Sequence, residues 1–303
     1  MPMPVDFYEG HKQVQTWGDR VFIFLGTAVF KKTAACCLML VLYVLAGHAV
    51  ENYFDKRLVL PGNDTAVFGA ALSILMVLRT NSAYDRWWEG RKHWGALVNV
   101  CRNLALKLEA FGEASPEQRA LAGRYLTLFP YVLRDHLREG MSEQTRNLFP
   151  EPPSPDLVHP PSYLTGRLMS LIKEWREAGQ LSKLDHHLID TQLNAWMDIC
   201  GACERIRNTP LPLAHRALIP QLLVLYLVIV PISTELTVAN VCFSFVMGYF
   251  LIGLELVAEE IEEPFGTDDD DLQLDRLCKG IERSVRQIIP SLQAHEPLSD
   301  LRN

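Results

Sequence analysis

AVFGAALSILMVLRTNSAYDRWWEG, residues 66–90, is the stretch that decides how this chain folds. Its first half, residues 66–78, carries no charge, whereas its second half contains four charged residues. A single helix through both halves would begin in an apolar environment and end in water. On such a helix Ala70, Ile74 and Leu78 form one row about 12 Å long, at 1.5 Å per residue. The row is either a core contact or the lining of a narrow pore.

Apolar and charged residues are unevenly distributed over the 303 residues. Apolar runs concentrate in residues 21–78 and 217–258, and this distribution indicates a membrane protein although the hydrophobic fraction is an ordinary 49%. The net charge of −7 is local, because residues 255–275 hold ten acids and no base. The rest of the chain is nearly neutral and has no basic stripe, so we exclude nucleic acid as a partner.

Four apolar segments are predicted to span a membrane as two helical hairpins. Residues 33–50 carry no formal charge, and residues 236–258 are long enough to cross a bilayer. Residues 66–78 are shorter, which is typical of a helix shielded by its neighbours, and residues 217–232 are apolar apart from Gln221. Residues 233–235 are predicted to be a minimal turn between the last two spans.

Basic residues flank the span ends on one side, whereas the opposite loops contain only Lys56 and Arg57. By the positive-inside rule, both termini and the central block are predicted to be cytoplasmic, in a multi-pass protein of the inner (plasma) membrane. The predicted regions are 1–82 with spans one and two, a cytoplasmic helical domain at 83–212, spans three and four at 213–258, and an acidic segment at 259–303.

The central block has helical periodicity and no strand pattern of useful length. Ser115 followed by Pro, Glu and Gln predicts a capped helix start. The prolines of residues 150–161 predict a loop, and helices are expected at 162–178 and 181–206. The predicted class is therefore an all-α membrane protein with a large cytoplasmic helical insert.

Motifs for metal or redox chemistry are weak in this sequence. Cys200 and Cys203 have CxxC spacing without a second pair, so two helix-packed thiols are the favoured interpretation. His186 and His187 point about 100° apart on a helix, which favours a solvated face. No nucleophile or phosphate-binding motif is found, so we predict no catalytic residue, no enzyme activity and no required cofactor.

The four acids of residues 268–271 have two interpretations. They are placed to cap a helix predicted at 272–289, where their charge complements the helix dipole. Alternatively, several carboxylate oxygens suit a hard cation such as Ca²⁺, although the spacing is not that of an EF-hand.

Three motifs together resemble the bestrophin family: RTNSAYDRWW at residues 79–88, NTPLP at 208–212 and EPFGTDDDD at 263–271. The resemblance covers nearly the whole chain. It implies a homopentameric ion channel in which the second spans surround a central pore. It also implies that Ala70, Ile74 and Leu78 line the neck of the pore, although Ala70 is smaller than the family's bulky neck residues.

The resemblance implies two further sites. Leu184 or Leu188 would form a second, cytoplasmic constriction. A calcium clasp would use the side chains of Asp268 and Asp271 with backbone carbonyls near Glu260 and Glu263. Glu260 and Glu263, together with the two aspartates, are the candidate metal residues.

We therefore expect a passive channel for small ions, with chloride-like anions favoured, and with membrane lipid and permeating inorganic ions as partners. Asn63, Arg79 and Asn81 are the expected pore-mouth residues, and Arg79 is alternatively a cation paired with an acid away from the pore. A cation (sodium) channel of the same fold, a non-conducting membrane-anchored scaffold, and a metalloenzyme using His186, His187 and the acidic run remain as alternatives.

Overall fold

The structure is a computed structural model. It describes residues 18, 25–55, 62–111, 113–138, 140–151, 153–154, 156–232, 235, 237–268, 270–294 and 297–298, without the side chains of 62–65, 215 and 232. Within these residues every regular element is helical, which confirms the predicted all-α class.

The helices follow one another with short connections. They are α1 Ala28–Phe54, α2 Gly62–Phe111, α3 Pro116–Leu137, α4 Glu143–Asn147, α5 Pro160–Glu177, α6 Lys183–Asn208, α7 Leu213–Ile232, α8 Val238–Glu262 and α9 Leu274–Ile288, with a 3-10 turn at Pro290–Ala294.

The chain divides into two compact units. The membrane unit contains the described residues up to Trp87, Pro210–Pro264 and those of Asp268–Asp271. The helical unit contains Trp88–Thr209, Phe265–Thr267 and the described residues from Leu272 onward. The division therefore falls within α2 at residues 87/88, and the predicted acidic segment 259–303 is shared between the two units.

The membrane unit is organised around an apolar core to which α1, α2, α7 and α8 all contribute. Its buried members are Leu40, Val44, Leu72, Met76, Ile219, Leu223, Leu227 and Leu251. The outward faces carry large exposed apolar side chains such as Leu38, Met39 and Phe243. Exposed apolar surface of this kind is typical of contact with lipid or with another subunit.

Three of the four predicted spans are confirmed as helices long and apolar enough to cross a membrane: Ala28–Phe54, Ala66–Phe111 and Val238–Glu262. The fourth is helical, but its apolar part, Arg216–Pro231, is shorter than the roughly 20 residues that cross a bilayer. Of the predicted turn at 233–235, residues 233 and 234 lie outside the described part of the chain.

Helix α2 confirms that one helix runs through both the apolar and the polar half of residues 66–90, and it continues to Phe111. Gly90 does not end it. A Cβ atom at Gly90 would lie only 3.1 Å from the ring of Phe265 and 3.3 Å from Leu272. Glycine is therefore used here for close packing inside the helical unit, and not as a helix terminator.

In the helical unit α3 packs against α5, α6 and α9. The predicted start of α3 is confirmed, because the Ser115 hydroxyl and the Gln118 side chain form a reciprocal capping box. The predicted loop at 150–161 ends two residues earlier than expected. His159 caps α5, and Pro160 occupies its first turn. Amide groups there have no partner within the helix, so the missing N–H of proline costs no hydrogen bond.

Two glycines of this unit provide a matched test of packing. A Cβ atom at Gly123 in α3 would meet Leu292 at 2.5 Å, whereas nothing lies within 4 Å of a Cβ at Gly166 in α5. We expect Gly123→Ala to lower the free energy of unfolding by about 1–3 kcal/mol through overpacking. Gly166→Ala should raise it by up to about 1 kcal/mol through helix propensity. Denaturant titration of the full chain in detergent measures both, and a stabilising Gly123→Ala would contradict the packing.

Candidate functional site

Helix α2 presents two different faces within the membrane unit. Leu72 and Met76 are buried in the core. Ala70 is exposed, and Ile74 and Leu78 are 64% and 52% exposed. The predicted row is therefore not a core contact of the single chain. It is an uncharged apolar face available to a pore, to lipid or to another subunit.

The three predicted pore-mouth residues have different surroundings. Asn81 is exposed, less than one turn beyond Leu78 on the same side of α2. The side chain of Asn63 lies outside the described residues. Arg79 is only 2% exposed, which does not agree with a side chain that lines an aqueous mouth.

Arg79 is held by acids of α8. Its Nη1 lies 2.6 Å from the Glu262 carboxylate, and its Nε donates to Glu255 at 3.4 Å. Glu262 is itself buried, and its other carboxylate oxygen is 3.3 Å from Arg216. Arg86 donates to the backbone carbonyl of Glu262 at 3.0 Å. The geometry therefore agrees with the alternative stated for Arg79, a cation paired with acids.

Glu255 and Glu262 were not predicted as the partners of Arg79, although the sequence contains a signal for them. The two glutamates lie seven residues apart and hence on one face of α8. Acidic side chains on an otherwise apolar helix require a partner, and a nearby buried arginine is the usual one.

Among the described acids of the run, Asp271 folds back on Asp268, and none of them occupies the N-cap of α9. Asp271 is buried, and its carboxylate accepts a hydrogen bond from the Asp268 amide at 2.7 Å. The indole of Trp87 donates to the Asp270 carbonyl at 3.1 Å. The N-cap of α9 is Gln273, which makes no side-chain capping bond. The prediction that an acid of the run is the N-cap is wrong, because α9 begins two residues later than predicted, with Gln273 at its N-cap.

The two glutamates of the predicted calcium clasp have different surroundings. Glu260 lies 3.9 Å from Lys32, and Glu263 is exposed. Asp269 lies outside the described residues. The clasp would also depend on backbone carbonyls, so calcium binding stays a prediction.

The predicted cytoplasmic constriction falls on the first two turns of α6. Leu184 and Leu188 are both exposed, and the Leu188 carbonyl accepts a hydrogen bond from Lys107 of α2 at 2.8 Å. The start of α6 is fixed by Ser182, whose hydroxyl accepts from the Asp185 amide. Two apolar side chains are thus held on a firmly capped helix and face outward from the single chain.

Cys200 and Cys203 are fully buried, and burial raises the pKa of Cys200 to about 12 and that of Cys203 still further. This confirms two helix-packed thiols. Among the described residues, one group of three side chains has metal-binding geometry: His136, His159 and Glu204. The group does not contain His186, His187 or the acidic run, so the metalloenzyme alternative gains no support from it.

The family model described as "Bacterial/Fungal Bestrophin protein" matches residues 10–287. The chain belongs to this bestrophin family. A bestrophin relative from Mesorhizobium japonicum, named voltage-dependent anion channel-forming protein mll4386, is 35% identical over 222 residues, or 72% of each chain. The similarly named protein sll1024 of Synechocystis is 29% identical over 94% of this chain and 96% of its own.

Solved bestrophin structures have the same fold. The crystal structure of a point mutant of a bacterial bestrophin homolog from Klebsiella pneumoniae has a TM-score of 0.79 and 26% identity. The match covers 86% of this chain and 99% of that one. This coverage includes most of the described helices, so the all-helical fold is shared with a solved bestrophin structure.

The buried ion pair of this bestrophin yields a stability prediction. Glu262→Leu should lower the free energy of unfolding by about 3–5 kcal/mol, because it leaves the buried Arg79 without its closest carboxylate. Arg79→Met combined with Glu262→Leu should lose clearly less than the sum of the single variants. Denaturant titration in detergent measures the cycle. Glu259→Leu, at an exposed position of α8, is the matched control and should stay within about 0.5 kcal/mol. Additive single and double variants would refute a coupled pair.

Proposed function

We propose that the chain forms a homopentameric, passive anion channel of the inner membrane with both termini in the cytoplasm. The observation that carries this proposal is the exposed row Ala70, Ile74 and Leu78 on a helix whose opposite face is buried. The family supports it, since several curated relatives are named voltage-dependent anion channel-forming proteins.

In this proposal five copies of α2 surround the pore axis with their exposed rows. Ile74 and Leu78 form the narrow part of the neck, whereas Ala70 leaves more space at its outer end. A neck without charge conducts only when it is wide enough to remain wetted. It discriminates between ions through the cost of removing their water, not through charged ligands.

Anion preference in this channel would not originate at Arg79. Its charge is offset by Glu262 and Glu255 in the same chain. The preference is instead supported by the names of the relatives, and a sodium-selective channel of the same fold is the principal competing outcome. A non-conducting scaffold is the other, and it predicts a single chain in detergent.

We also propose that Leu184 and Leu188 form a second ring in the cytoplasmic part of the pathway. Both are exposed on a capped helix start, as required of side chains that narrow a pore. Calcium at Asp268 and Asp271, assisted by carbonyls near Glu260 and Glu263, is a separate and optional part of the proposal.

Reversal potential across a planar bilayer under a chloride gradient tests the function. An anion channel reverses near the chloride equilibrium potential, whereas a reversal near the cation potential would establish the sodium alternative. Measured mass in detergent should equal five chains, and one chain or no current would reject the channel. Unchanged current after addition of a calcium chelator would exclude calcium gating.

Side-chain truncation tests the neck. Ile74→Ala and Leu78→Ala should each raise single-channel conductance, because a wider apolar ring stays wetted more of the time. Leu38→Ala is the matched control, since Leu38 is an exposed apolar residue of α1 and does not lie on the helix that carries the row. Its conductance should equal that of the wild type. If all three variants had the conductance of the wild type, the neck would have to lie in another part of the chain.

A further inference from the structure

The His136–His159–Glu204 cluster lies where three helices of the helical unit meet. His136 lies in the last turn of α3, His159 caps α5, and Glu204 lies on α6. One Glu204 oxygen is 2.6 Å from His136 Nε2 and 2.8 Å from His159 Nε2. All three ligand atoms lie within 4.8 Å of one another, and the side chains are partly exposed to solvent. We propose that this cluster binds a divalent transition-metal ion such as Zn²⁺.

The donor set fits the chemistry of such an ion. Two imidazole nitrogens and one carboxylate oxygen are ligands that Zn²⁺ prefers, and the open solvent side leaves room for water as the fourth ligand. With bonds of about 2.0–2.1 Å, ligand atoms around one ion stand roughly 3.3 Å apart. The imidazole nitrogens therefore need to withdraw from Glu204 by about 0.5–0.7 Å, and, since the three ligand atoms lie within 4.8 Å of one another, to approach each other by at most about 1.5 Å.

Neighbouring groups define the charge of the site. Partial burial raises the pKa of Glu204, but hydrogen bonds from His136 and His159 lower it, and together they hold this pKa below its usual range. The closest cysteines of α6, Cys200 and Cys203, are fully buried with raised pKa values and do not supply a thiolate ligand.

The proton on His159 links metal binding to the start of α5. His159 Nδ1 accepts a hydrogen bond from the Ser162 amide at 3.1 Å. In the metal-free protein Nε2 therefore carries the ring proton and donates it to Glu204. An ion bound to Nε2 requires that proton on Nδ1, where it displaces the capping bond. One helix-capping bond is thereby exchanged for a metal bond.

The backbone at His136 is bound to α6. Arg207 of α6 donates to the His136 carbonyl at 2.6 Å and also binds the Arg138 carbonyl. The end of α3 is thereby tied to the helix that carries Glu204. A bound ion would replace the hydrogen bonds of His136 and His159 to Glu204 by metal bonds, and so continue to join the end of α3, the start of α5 and α6.

Zinc titration of the tag-free, chelator-stripped full chain in detergent tests the proposal. Calorimetry should give one Zn²⁺ per chain with a Kd in the micromolar range or tighter, and Co²⁺ should give the visible absorption of a four-coordinate site. Glu204→Gln and His159→Asn should each weaken binding at least tenfold. Asparagine at 159 removes the imidazole but is itself a good helix cap, so α5 should keep its start.

The matched control is the double variant His186→Asn/His187→Asn, which removes two other histidines from α6 and should leave the affinity unchanged. Circular dichroism and mass in detergent verify that each variant folds and assembles like the wild type. Less than one ion per chain, or equal affinity in wild type, Glu204→Gln and His159→Asn, would overturn the proposal. Either result is independent of ion conduction, because no current is measured.

Discussion

The membrane unit depends on the pairing of one buried guanidinium with one buried carboxylate. Arg79 and Glu262 are both removed from water, and a charge in that position is tolerated only with a partner. Because residues on a helix are about 100° apart, this pair fixes the rotation of α2 about its axis. With Arg79 turned toward α8, the row containing Ile74 and Leu78 has to face away from the core.

The motif at residues 79–88 therefore has a structural basis that differs from lining a pore. Arg86 donates to the Glu262 carbonyl at the end of α8, where helix carbonyls lack partners within the helix. Trp87 donates to the Asp270 carbonyl in the following turn. The polar half of α2 thus holds the end of α8 and the acidic turn, while its apolar half offers the exposed row.

The sequence predicted the helices well because their signals are local. Periodicity and caps such as Ser115 need only a few neighbouring residues, and the continuous α2 follows from the same rule. The partners of buried charges were not predictable in this way. Arg79 and Glu262 lie 183 positions apart in the numbering, and the His136–His159–Glu204 group comes from three separate helices. Such contacts depend on how helices pack, which a single sequence does not display.

Neutralisation of Arg79 also changes the physical account of selectivity in the proposed channel. An unpaired arginine ring at the inner mouth would attract anions by its field, whereas a paired one contributes little beyond a few ångströms. The remaining determinants are the dehydration cost in the apolar neck and the charges along the rest of the pathway. An apolar ring penalises small, strongly hydrated ions of either sign, so it separates ions by hydration more than by charge. Anion preference then requires a source outside the row of Ala70, Ile74 and Leu78.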